Sequence, residues 1–342
     1  MSQPESTAVP PQQIMMNYLL GIPISYMIGA AAQIGIPRQL ADGAQTAEQV
    51  AQVAGTTADA TYRLMRALSA LGILSEDDER RFALTAIGEC LLPGRPGSFD
   101  ALAKMNIAPW AARAYGEILH ALRTGQSAFS KPHGKSLFDW LSEHPSEQEL
   151  FGDAMSTFSG MEAELVLAAY DFSRVRHVVD VGGGHGLLLS RILASAPAAR
   201  GTLFDRAEVA ERAKASFIDA GLRARCQVVG GDFFEQTPPG GDLYVLKHIL
   251  HDWDDARAAL LLTSVASAMR PGARVLVVEQ GIAPPGVPNP GKIMDVIMLM
   301  LVDGGRERTA SQHAALFEQA GLRFEREITT PGPITLFEGV RA

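Results

Sequence analysis

Titratable side chains are concentrated in the segment Lys247–Asp255, which has the sequence KHILHDWDD. Side chains of these types suit three roles: metal binding, proton transfer by a general base, or the capping of a helix that begins here. In a strand, His248 and His251 would point to opposite faces because they are three residues apart. The spacing therefore favours a single basic histidine without a bound metal, followed by aspartates that cap the next helix.

A second candidate site is a glycine-rich loop in the sequence HVVDVGGGHG. Its spacing, Asp180-x-Gly182-x-Gly184-x-Gly186, differs from the G-x-G-x-x-G of dinucleotide sites, because leucine stands where the last glycine would be. Such a loop suits a ligand without a pyrophosphate. Asp205, at the end of the next predicted strand, is placed to accept hydrogen bonds from both hydroxyls of a ribose. An adenosine ligand without a diphosphate indicates S-adenosylmethionine.

Alternating strands and helices are predicted to position both sites. From Asp171 onward, five short apolar runs alternate with helical stretches, which is typical of a doubly wound α/β sheet with mostly parallel strands. Ligands of such sheets bind beyond the carboxyl ends of the strands, where most of the candidate residues fall. The five predicted strands contain HVVDV, GTLFD, RCQVVG, DLYVLK and RVLVVE.

The stretch from Thr46 to Leu92 is predicted to be a small winged-helix unit. Thr46 is a plausible N-cap for AEQVAQVA, with Gly55 as the stop, and TADATYRLMRALSALG supplies a second helix. ILSEDDERRFALT then indicates strand, turn and strand. The second helix offers only Arg63 and Arg66 as cations and the wing carries EDDE, so the charges disfavour DNA binding.

Composition is that of a globular chain: 342 residues, 47% of them apolar, with a net charge of −8 that disfavours nucleic acids and anionic membranes. Cys90 and Cys226 form no CxxC pair, which favours a reducing cytoplasm. No charged residue occurs from Ser6 to Pro37. Polar residues and prolines interrupt this stretch, so we expect two helices broken near Gly21–Pro23 and buried against a partner subunit, with no membrane insertion.

Six motifs together resemble the caffeate/flavonoid-type family of S-adenosylmethionine-dependent O-methyltransferases, in its bacterial natural-product branch. They are HGKSLFDWLSEHP, FGDAMSTFSG, VDVGGGHG, GDFF, LKHILHDWDD and GGRERT. The resemblance implies a Rossmann-like class I methyltransferase domain at 171–342, a helical connector with substrate-pocket helices at 101–170, and an α-helical winged-helix dimerisation domain at 1–100. It also implies a cytoplasmic homodimer.

The resemblance further implies roles for individual residues. His251 is the general base, braced by Glu279 and Glu307, and we expect Glu279 to accept a hydrogen bond from the ring nitrogen that does not face the substrate. Glu307 could instead be only an ion-pair partner of a neighbouring arginine. Arg206 and the alanine after it stand where the family commonly has Leu-Pro, so the pocket edge near the adenosine is expected to differ. Cofactor contacts are implied for Asp180, Gly182, Gly184, Gly186, Asp205, Asp232, Phe233 and Lys247.

The acceptor pocket is the least determined part of the site. Adaptable methionines with an aromatic would suit a flat phenolic or polyketide-like substrate, although the same side chains could be ordinary helix core. Two other functions remain open: a repurposed enzyme of this fold that hydroxylates, decarboxylates or cyclises, and a ligand-sensing winged-helix regulator. The identity of the acceptor, the hydroxyl that is methylated and the role of His248 stay open. The candidate pocket residues are Met155, Phe158, Met161, Asp252, Met294 and Met298.

Overall fold

Two compact units make up the chain, divided between Ala112 and Arg113. The structure, a computed structural model, describes residues 9–95, 97–219 and 221–342. The finer division into three parts at residues 100 and 170 stays a prediction.

The first unit is mainly helical, with one small sheet. Its sheet has three strands in the order β1-β3-β2, all antiparallel. The winged-helix pattern is therefore present, with one strand more than the sequence predicted. The elements are α1 (Pro11–Leu19), α2 (Gly21–Gln33), α3 (Ile36–Gln39), β1 (Gln45–Thr46), α4 (Ala47–Ala54), α5 (Ala58–Ala70), β2 (Leu74–Glu76), β3 (Arg81–Leu84), α6 (Ala86–Glu89) and α7 (Asp100–Ile107).

Local sequence signals set several of these boundaries. The Thr46 side chain accepts the backbone N–H of Gln49, whose own side chain accepts the N–H of Thr46, so α4 begins with a capping box. Gly55 ends α4 in the left-handed conformation, as predicted. The helical break in the uncharged segment falls at Leu20, next to the predicted position, and bends the two helices by 43°.

Helices α1 and α2 expose an apolar surface within this unit. Ile22 and Tyr18 each leave about three quarters of their surface accessible (74%), and Leu19 leaves 68%. Within the described ranges no single helix has the length and apolar character of a membrane span, and only the bent pair α1–α2 passes that test jointly.

The second unit is built on a seven-stranded sheet in the order β6-β5-β4-β7-β8-β10-β9. Its strands are β4 (His177–Val181), β5 (Arg200–Asp205), β6 (Cys226–Gly230), β7 (Leu243–Lys247), β8 (Arg274–Glu279), β9 (Leu322–Thr329) and β10 (Thr335–Arg341). Its helices are α9 (Ile118–Thr124), α10 (Ser130–His133), α11 (Leu137–Ser142), α12 (Pro145–Ala169), α13 (Leu187–Ser195), α14 (Ala207–Asp219), α15 (Asp255–Ala268), α16 (Gly291–Leu301) and α17 (Ala310–Gln319), while α8 (Pro109–Gly116) crosses the boundary between units.

The five strands predicted from the sequence are all present and all parallel to one another. The central strands β4 and β7 are rich in apolar residues because both of their faces are covered: Val178 and Val245 face one core cluster, and Val179 and Leu246 face the other. The antiparallel pair β9–β10 extends the sheet beyond β8 and was not predicted.

A buried carboxylate joins the end of α12 to this added strand pair. Glu338 on β10 has no exposed surface and accepts a hydrogen bond from the Tyr170 hydroxyl at 2.7 Å. Arg274 and Arg326 pair with its two oxygens at 2.6 and 2.7 Å. Because its charge is fully paired, Glu338 fixes the C-terminal end of α12 against the sheet.

Candidate active site

The carboxyl ends of the parallel strands bring the predicted site residues to one edge of the sheet. Asp205 at the end of β5 lies opposite Gly230 at the end of β6, and Lys247 at the end of β7 lies opposite Val278, one residue before Glu279. The strand order therefore gathers residues from all five strands at this edge, which is the usual ligand side of a doubly wound sheet.

The glycine loop between β4 and α13 needs glycine for two different reasons. At Gly184 a Cβ would meet open space, but the backbone has a left-handed φ of 57° that L side chains rarely adopt. At Gly183 a Cβ would overlap Leu203 and lie 2.6 Å from Asp180 Oδ2. The need for glycine at Gly183 could not be predicted from the sequence, because it comes from packing and not from spacing. Positive φ occurs at Gly182 (69°), Gly184 (57°) and Gly186 (76°).

The half-buried carboxylate of Asp205 and the buried carboxylate of Asp180 support this loop. Asp205 Oδ2 accepts the N–H of Gly184 at 2.8 Å and Oδ1 accepts the N–H of Arg206 at 2.7 Å, and burial raises its pKa. Burial likewise raises the pKa of Asp180 to about 7, and its Oδ2 has no hydrogen-bond partner among the described residues. Each carboxylate oxygen can accept a second hydrogen bond, so both groups fit a ligand with hydroxyl and ammonium donors.

The remaining candidate cofactor residues surround the same edge. Asp232 is exposed and accepts the N–H of Phe234 at 2.8 Å, which shapes the turn after β6. The Phe233 ring packs edge-on against Phe234 and Trp253, at centroid distances of 4.9 and 6.1 Å. The glycine loop, Asp205 at the end of β5 and the Phe233 ring are together compatible with a bound adenosine group.

His251 lies in a single 3-10 turn, Leu250–Asp252, just beyond β7. It is 7% exposed, and its Nδ1 is 2.7 Å from Glu307 Oε1. Asp254, and not Asp252, caps α15 by accepting the N–H of Arg257. Asp252 Oδ1 instead lies 3.7 Å from His251 Nε2, and burial raises the pKa of Asp252 to about 7.

The expectation that Glu279 binds the His251 ring is wrong. Glu279 Oε1 accepts the backbone N–H of His251 at 2.9 Å, while its Oε2 lies 3.5 Å from Nε2 of His313. Both side chains are fully buried, and burial raises the pKa of Glu279 to about 7. Glu307 therefore contacts the His251 ring, whereas Glu279 holds the 3-10 turn through the backbone N–H of His251.

Glu307 is set in an acidic environment. Its backbone N–H donates to Asp295 Oδ1 on α16 at 3.0 Å. Burial, followed by the nearby charges of Asp295 and Glu162, raises the pKa of Glu307 to about 8, whereas Arg308 opposes this rise. The alternative in which Glu307 serves only as an arginine partner is contradicted by its contact with the His251 ring.

His248 and His251 do not point to opposite faces as predicted. The strand ends at Lys247, His248 adopts a left-handed φ of 55°, and its ring stacks on that of His251 with 5.0 Å between centroids. The geometric reason given against a metal site is therefore wrong. In the parts of the chain that are described, no group of three or more His, Cys, Asp or Glu side chains is arranged around a common metal position.

Two buried residues near His251 escaped the sequence analysis. Arg308 has no exposed surface and donates to Leu250 O at 2.8 Å, to Trp253 O at 2.7 Å and to the Asp255 side chain at 2.9 Å. Glu162 on α12 is 3% exposed and contacts both Lys247 and His248, as described below. The motif GGRERT contained the signal for Arg308; Glu162 stands in a run of small and apolar residues that looks like ordinary helix.

Five of the six candidate pocket residues lie on α12 and α16, and the sixth, Asp252, lies in the 3-10 turn with His251. Helix α12 also carries Glu162, and its Ser156 Oγ lies 3.2 Å from Nδ1 of His185 in the glycine loop. Helix α16 carries Asp295. The candidates differ in burial: Met155, Phe158 and Met294 are half-buried, Met161 is 54% exposed and Met298 is 8% exposed.

Comparison with known proteins gives two family matches. A model described as the O-methyltransferase domain matches residues 115–323, and one described as the O-methyltransferase dimerisation domain matches residues 16–94. Among curated relatives, a mitomycin biosynthesis 6-O-methyltransferase of Streptomyces lavendulae is 39% identical over 319 residues, covering 92% of this chain and 90% of the relative. The aclacinomycin 10-hydroxylase of Streptomyces purpurascens is 33% identical, covering 94% and 87%.

Solved structures of O-methyltransferases and related proteins also match this chain over nearly its whole length. The crystal structure of LaPhzM superposes with a TM-score of 0.94 at 35% identity, covering 98% of this chain and all of that one. An O-methyltransferase from neocarzinostatin biosynthesis, in complex with S-adenosylmethionine and 2-hydroxy-5-methyl naphthoic acid, gives 0.79 at 33% identity, covering 96% and 98%.

Proposed function

We propose a reaction that starts from one premise: the chain belongs to the family of S-adenosylmethionine-dependent O-methyltransferases. The proposed reaction is methylation of a phenolic hydroxyl on a small aromatic molecule, with His251 as the general base. The observation that carries the assignment of the base is the 2.7 Å contact between His251 Nδ1 and Glu307 Oε1.

Removal of the acceptor's proton is the task that the chain itself must perform. A phenol with a pKa near that of tyrosine, about 10, is scarcely ionised at neutral pH. A positioned imidazole that takes the proton as the new bond forms contributes typically about 10²–10⁴-fold to the rate. His251 donates its Nδ1–H to Glu307, which leaves Nε2 free to accept that proton. The Glu307 carboxylate then stabilises the imidazolium that forms.

The cofactor would be held by the glycine loop and the strand-end acid. Asp205 would accept the ribose hydroxyls, the Asp180–Gly186 loop would face the methionine part, and Phe233 and Lys247 would flank the adenine. When bound, S-adenosylmethionine supplies an activated methyl group on a sulfonium. The unpaired Oδ2 of Asp180 and the open space over Gly184 support this arrangement.

The acceptor class follows from relatives and from side-chain type. Two of the relatives named above belong to mitomycin and neocarzinostatin biosynthesis, and the second of these binds a hydroxylated naphthoic acid. Half-buried Met155, Phe158 and Met294 would give such a flat ring an adaptable apolar wall. Asp252 would lie beside the transferred proton, 3.7 Å from His251 Nε2.

A second candidate function is hydroxylation on the same fold, and the aclacinomycin 10-hydroxylase relative favours it. Methyl transfer is preferred because this chain retains a buried histidine–carboxylate pair suited to proton removal. The mass of the product separates the two: the acceptor gains one methylene if methylated and one oxygen if hydroxylated. The regulator hypothesis lacks a comparable relative among those reported above.

We further propose that the enzyme is a homodimer formed through the first unit. A dimerisation-domain match covers residues 16–94, and α1 and α2 expose Tyr18, Leu19 and Ile22 without any charged neighbour between Ser6 and Pro37. Light scattering after size exclusion should give twice the mass of the chain. Replacing Tyr18 and Ile22 with aspartate should yield monomers, and a dimer that persists in this variant would contradict the assignment.

The test of the proposed reaction is methyl transfer from labelled S-adenosylmethionine to a panel of phenols, hydroxynaphthoates, phenazines and anthraquinones, with products identified by mass. His251→Ala should lower kcat by about 10²-fold or more. Its affinity for S-adenosylhomocysteine should stay close to that of the wild type, because His251 is not among the proposed cofactor contacts. Full activity in His251→Ala would remove His251 as the base.

A further inference from the structure

We propose that Glu162 and His248 are positioning residues: His248 stacks on a face of the His251 imidazole, whose Nδ1 contacts Glu307, and Glu162 holds the His248 ring in place. This inference rests on the proposed function, because it takes His251 as the base. Neither residue has been given a role in the proposed reaction, and beside His251 Glu162 is buried and His248 is half-buried.

Glu162 forms the centre of this arrangement. Both of its oxygens lie within hydrogen-bond distance of His248 Nε2, at 3.0 and 2.9 Å, and Lys247 Nζ is 3.3 Å from Oε2. A buried carboxylate is costly unless it is paired, and here both partners come from the end of β7. A single side chain of α12 therefore holds the segment that leads directly into His251.

His248 transmits this restraint by stacking. Its φ of 55° is uncommon for a non-glycine residue, and its backbone N–H donates to Val278 O at 3.0 Å, which keeps the main chain on the sheet. The left-handed conformation turns the side chain so that its ring lies 23° from parallel to the ring of His251. The strained backbone is retained because it places one ring against the other.

The charge states make this stack useful for proton transfer. Burial, reinforced by the charge of Lys247, lowers the pKa of His248, so its ring stays neutral and donates Nε2–H to Glu162. Burial opposes ionisation of Glu162, but its contacts with His248 and Lys247 outweigh that effect and lower its pKa. The stacked ring of His248 therefore adds no positive charge beside His251, and the Glu162 carboxylate behind it favours the imidazolium that proton transfer would form.

Any pH readout must take account of every charged group near His251. They are Asp252 and Lys247 on its own segment, Glu279 on β8, Glu307 and Arg308 on the loop after α16, Asp295 on α16, Glu162 on α12 and His313 on α17. Replacing Glu162 alone leaves all the others in place.

The first test needs no acceptor molecule. The protein is labelled with ¹⁵N at histidine, the His251 resonance is assigned from the His251→Ala spectrum, and its pKa is measured by NMR titration. Glu162→Gln keeps the side-chain shape and removes the charge, so the pKa of His251 should fall by about 0.5 or more. Glu164→Gln is the matched control: Glu164 lies two residues along α12, is 58% exposed and pairs with Arg191.

A second test separates stacking from general stability. His248→Phe keeps an aromatic ring against His251, whereas His248→Leu does not, so kcat should fall about tenfold more in the leucine variant. His177→Phe is the control, because His177 at the start of β4 also makes two hydrogen bonds, to Gly240 O and Thr202 Oγ1. If His248→Leu does not fold, the Glu162→Gln titration still decides the question.

Two outcomes overturn the inference. One is a His251 pKa that is the same in Glu162→Gln and Glu164→Gln; the other is a kcat for His248→Leu that is no lower than that for His248→Phe. Either result, with His251→Ala inactive, leaves the proposed function intact. A fully active His251→Ala would instead remove the proposed function, and the inference with it.

Discussion

The two glutamates near His251 should contribute very differently to catalysis, and isosteric substitutions can separate them. In Glu307→Gln, the carboxylate 2.7 Å from His251 Nδ1 becomes a neutral amide. In Glu279→Gln, the amide oxygen can still accept the backbone N–H of His251, which Glu279 accepts at 2.9 Å. Both substitutions keep the volume of the side chain, so a difference in kcat between the two variants does not come from packing.

The expected magnitude follows from the type of hydrogen bond that is lost. Stabilisation of a forming imidazolium by a buried carboxylate is a charged hydrogen bond, worth about 1.5–3 kcal/mol. At about 1.36 kcal/mol for each factor of ten, Glu307→Gln should lower kcat by about 10–150-fold. An amide can also donate to Nδ1 and favour the wrong tautomer, which adds to the loss. Glu279→Gln should cost less than about fivefold, because its neutral hydrogen bond is retained.

The pH dependence of kcat gives an independent test of the role of Glu307. Burial raises the pKa of Glu307 to about 8. Below that pH the pair holds an extra proton and His251 is blocked as a base; above it Glu307 is ionised and Nε2 is free. The rate of the wild type should therefore rise as pH increases through about 8, as a property of the coupled pair. Glu307→Gln has no such carboxyl group and should lose this limb of the profile.

The assay is kcat from pH 6 to 10 at saturating S-adenosylmethionine, with the acceptor found in the panel, for wild type and both glutamine variants. Affinity for S-adenosylhomocysteine, measured by calorimetry, serves as the control for an intact cofactor site. The reasoning is refuted if Glu279→Gln loses as much activity as Glu307→Gln, or if the pH limb near 8 persists in Glu307→Gln.

Three further substitutions test the loop and the turn. Asp205→Ala removes the proposed ribose acceptor and should weaken S-adenosylhomocysteine binding by about tenfold or more in calorimetry, and unchanged affinity would contradict the ribose assignment. Gly183→Ala places a Cβ against Leu203 and Asp180 and should lower the free energy of unfolding by about 1–3 kcal/mol in urea, whereas an unchanged midpoint would contradict the close approach. Arg308→Met leaves Leu250 O and Trp253 O without their buried donor and should lower the same quantity by about 2–4 kcal/mol; Arg306→Met, at an arginine whose side chain is 48% exposed, is the matched control and should change it little.

The parallel part of the sheet could be predicted because its signals are local. Each of the five strands contains a short apolar run, and β5, β7 and β8 end on the charged residues Asp205, Lys247 and Glu279. In the strands whose two faces are covered, no alternation of apolar and polar residues is needed. The β9–β10 pair was missed because β9 includes Arg323, Glu325 and Arg326 at close spacing, which resembles an exposed loop. β9 joins the sheet only by pairing with β10, which in turn pairs with β8. Pairing between segments that are distant along the chain has no local signature in the sequence.

The candidate site likewise contains features that the sequence could predict and contacts that it could not. Asp205 was predictable from its place at the end of a strand, but the contact between His251 and Glu307 joins residues 56 positions apart and came only from a resemblance. Spacing could not determine which oxygen of Glu279 meets which atom of His251, because that depends on the 3-10 turn. The stacking of His248 depended on a left-handed backbone that a strand pattern does not predict.

The two anchors of α12 bear on how enzymes of this fold diverge. The helix is tied to the sheet through Tyr170 and Glu338 at its C-terminal end and through Glu162 at the end of β7. Met155, Phe158 and Met161 lie N-terminal to both anchors and take no part in them. These three residues belong to the proposed acceptor pocket, so we expect substitutions there to change the acceptor profile while both anchors, and with them the stability of the fold, are kept. A library randomised at Met155, Phe158 and Met161 should retain the wild-type Tm in most members while its acceptor profile diversifies.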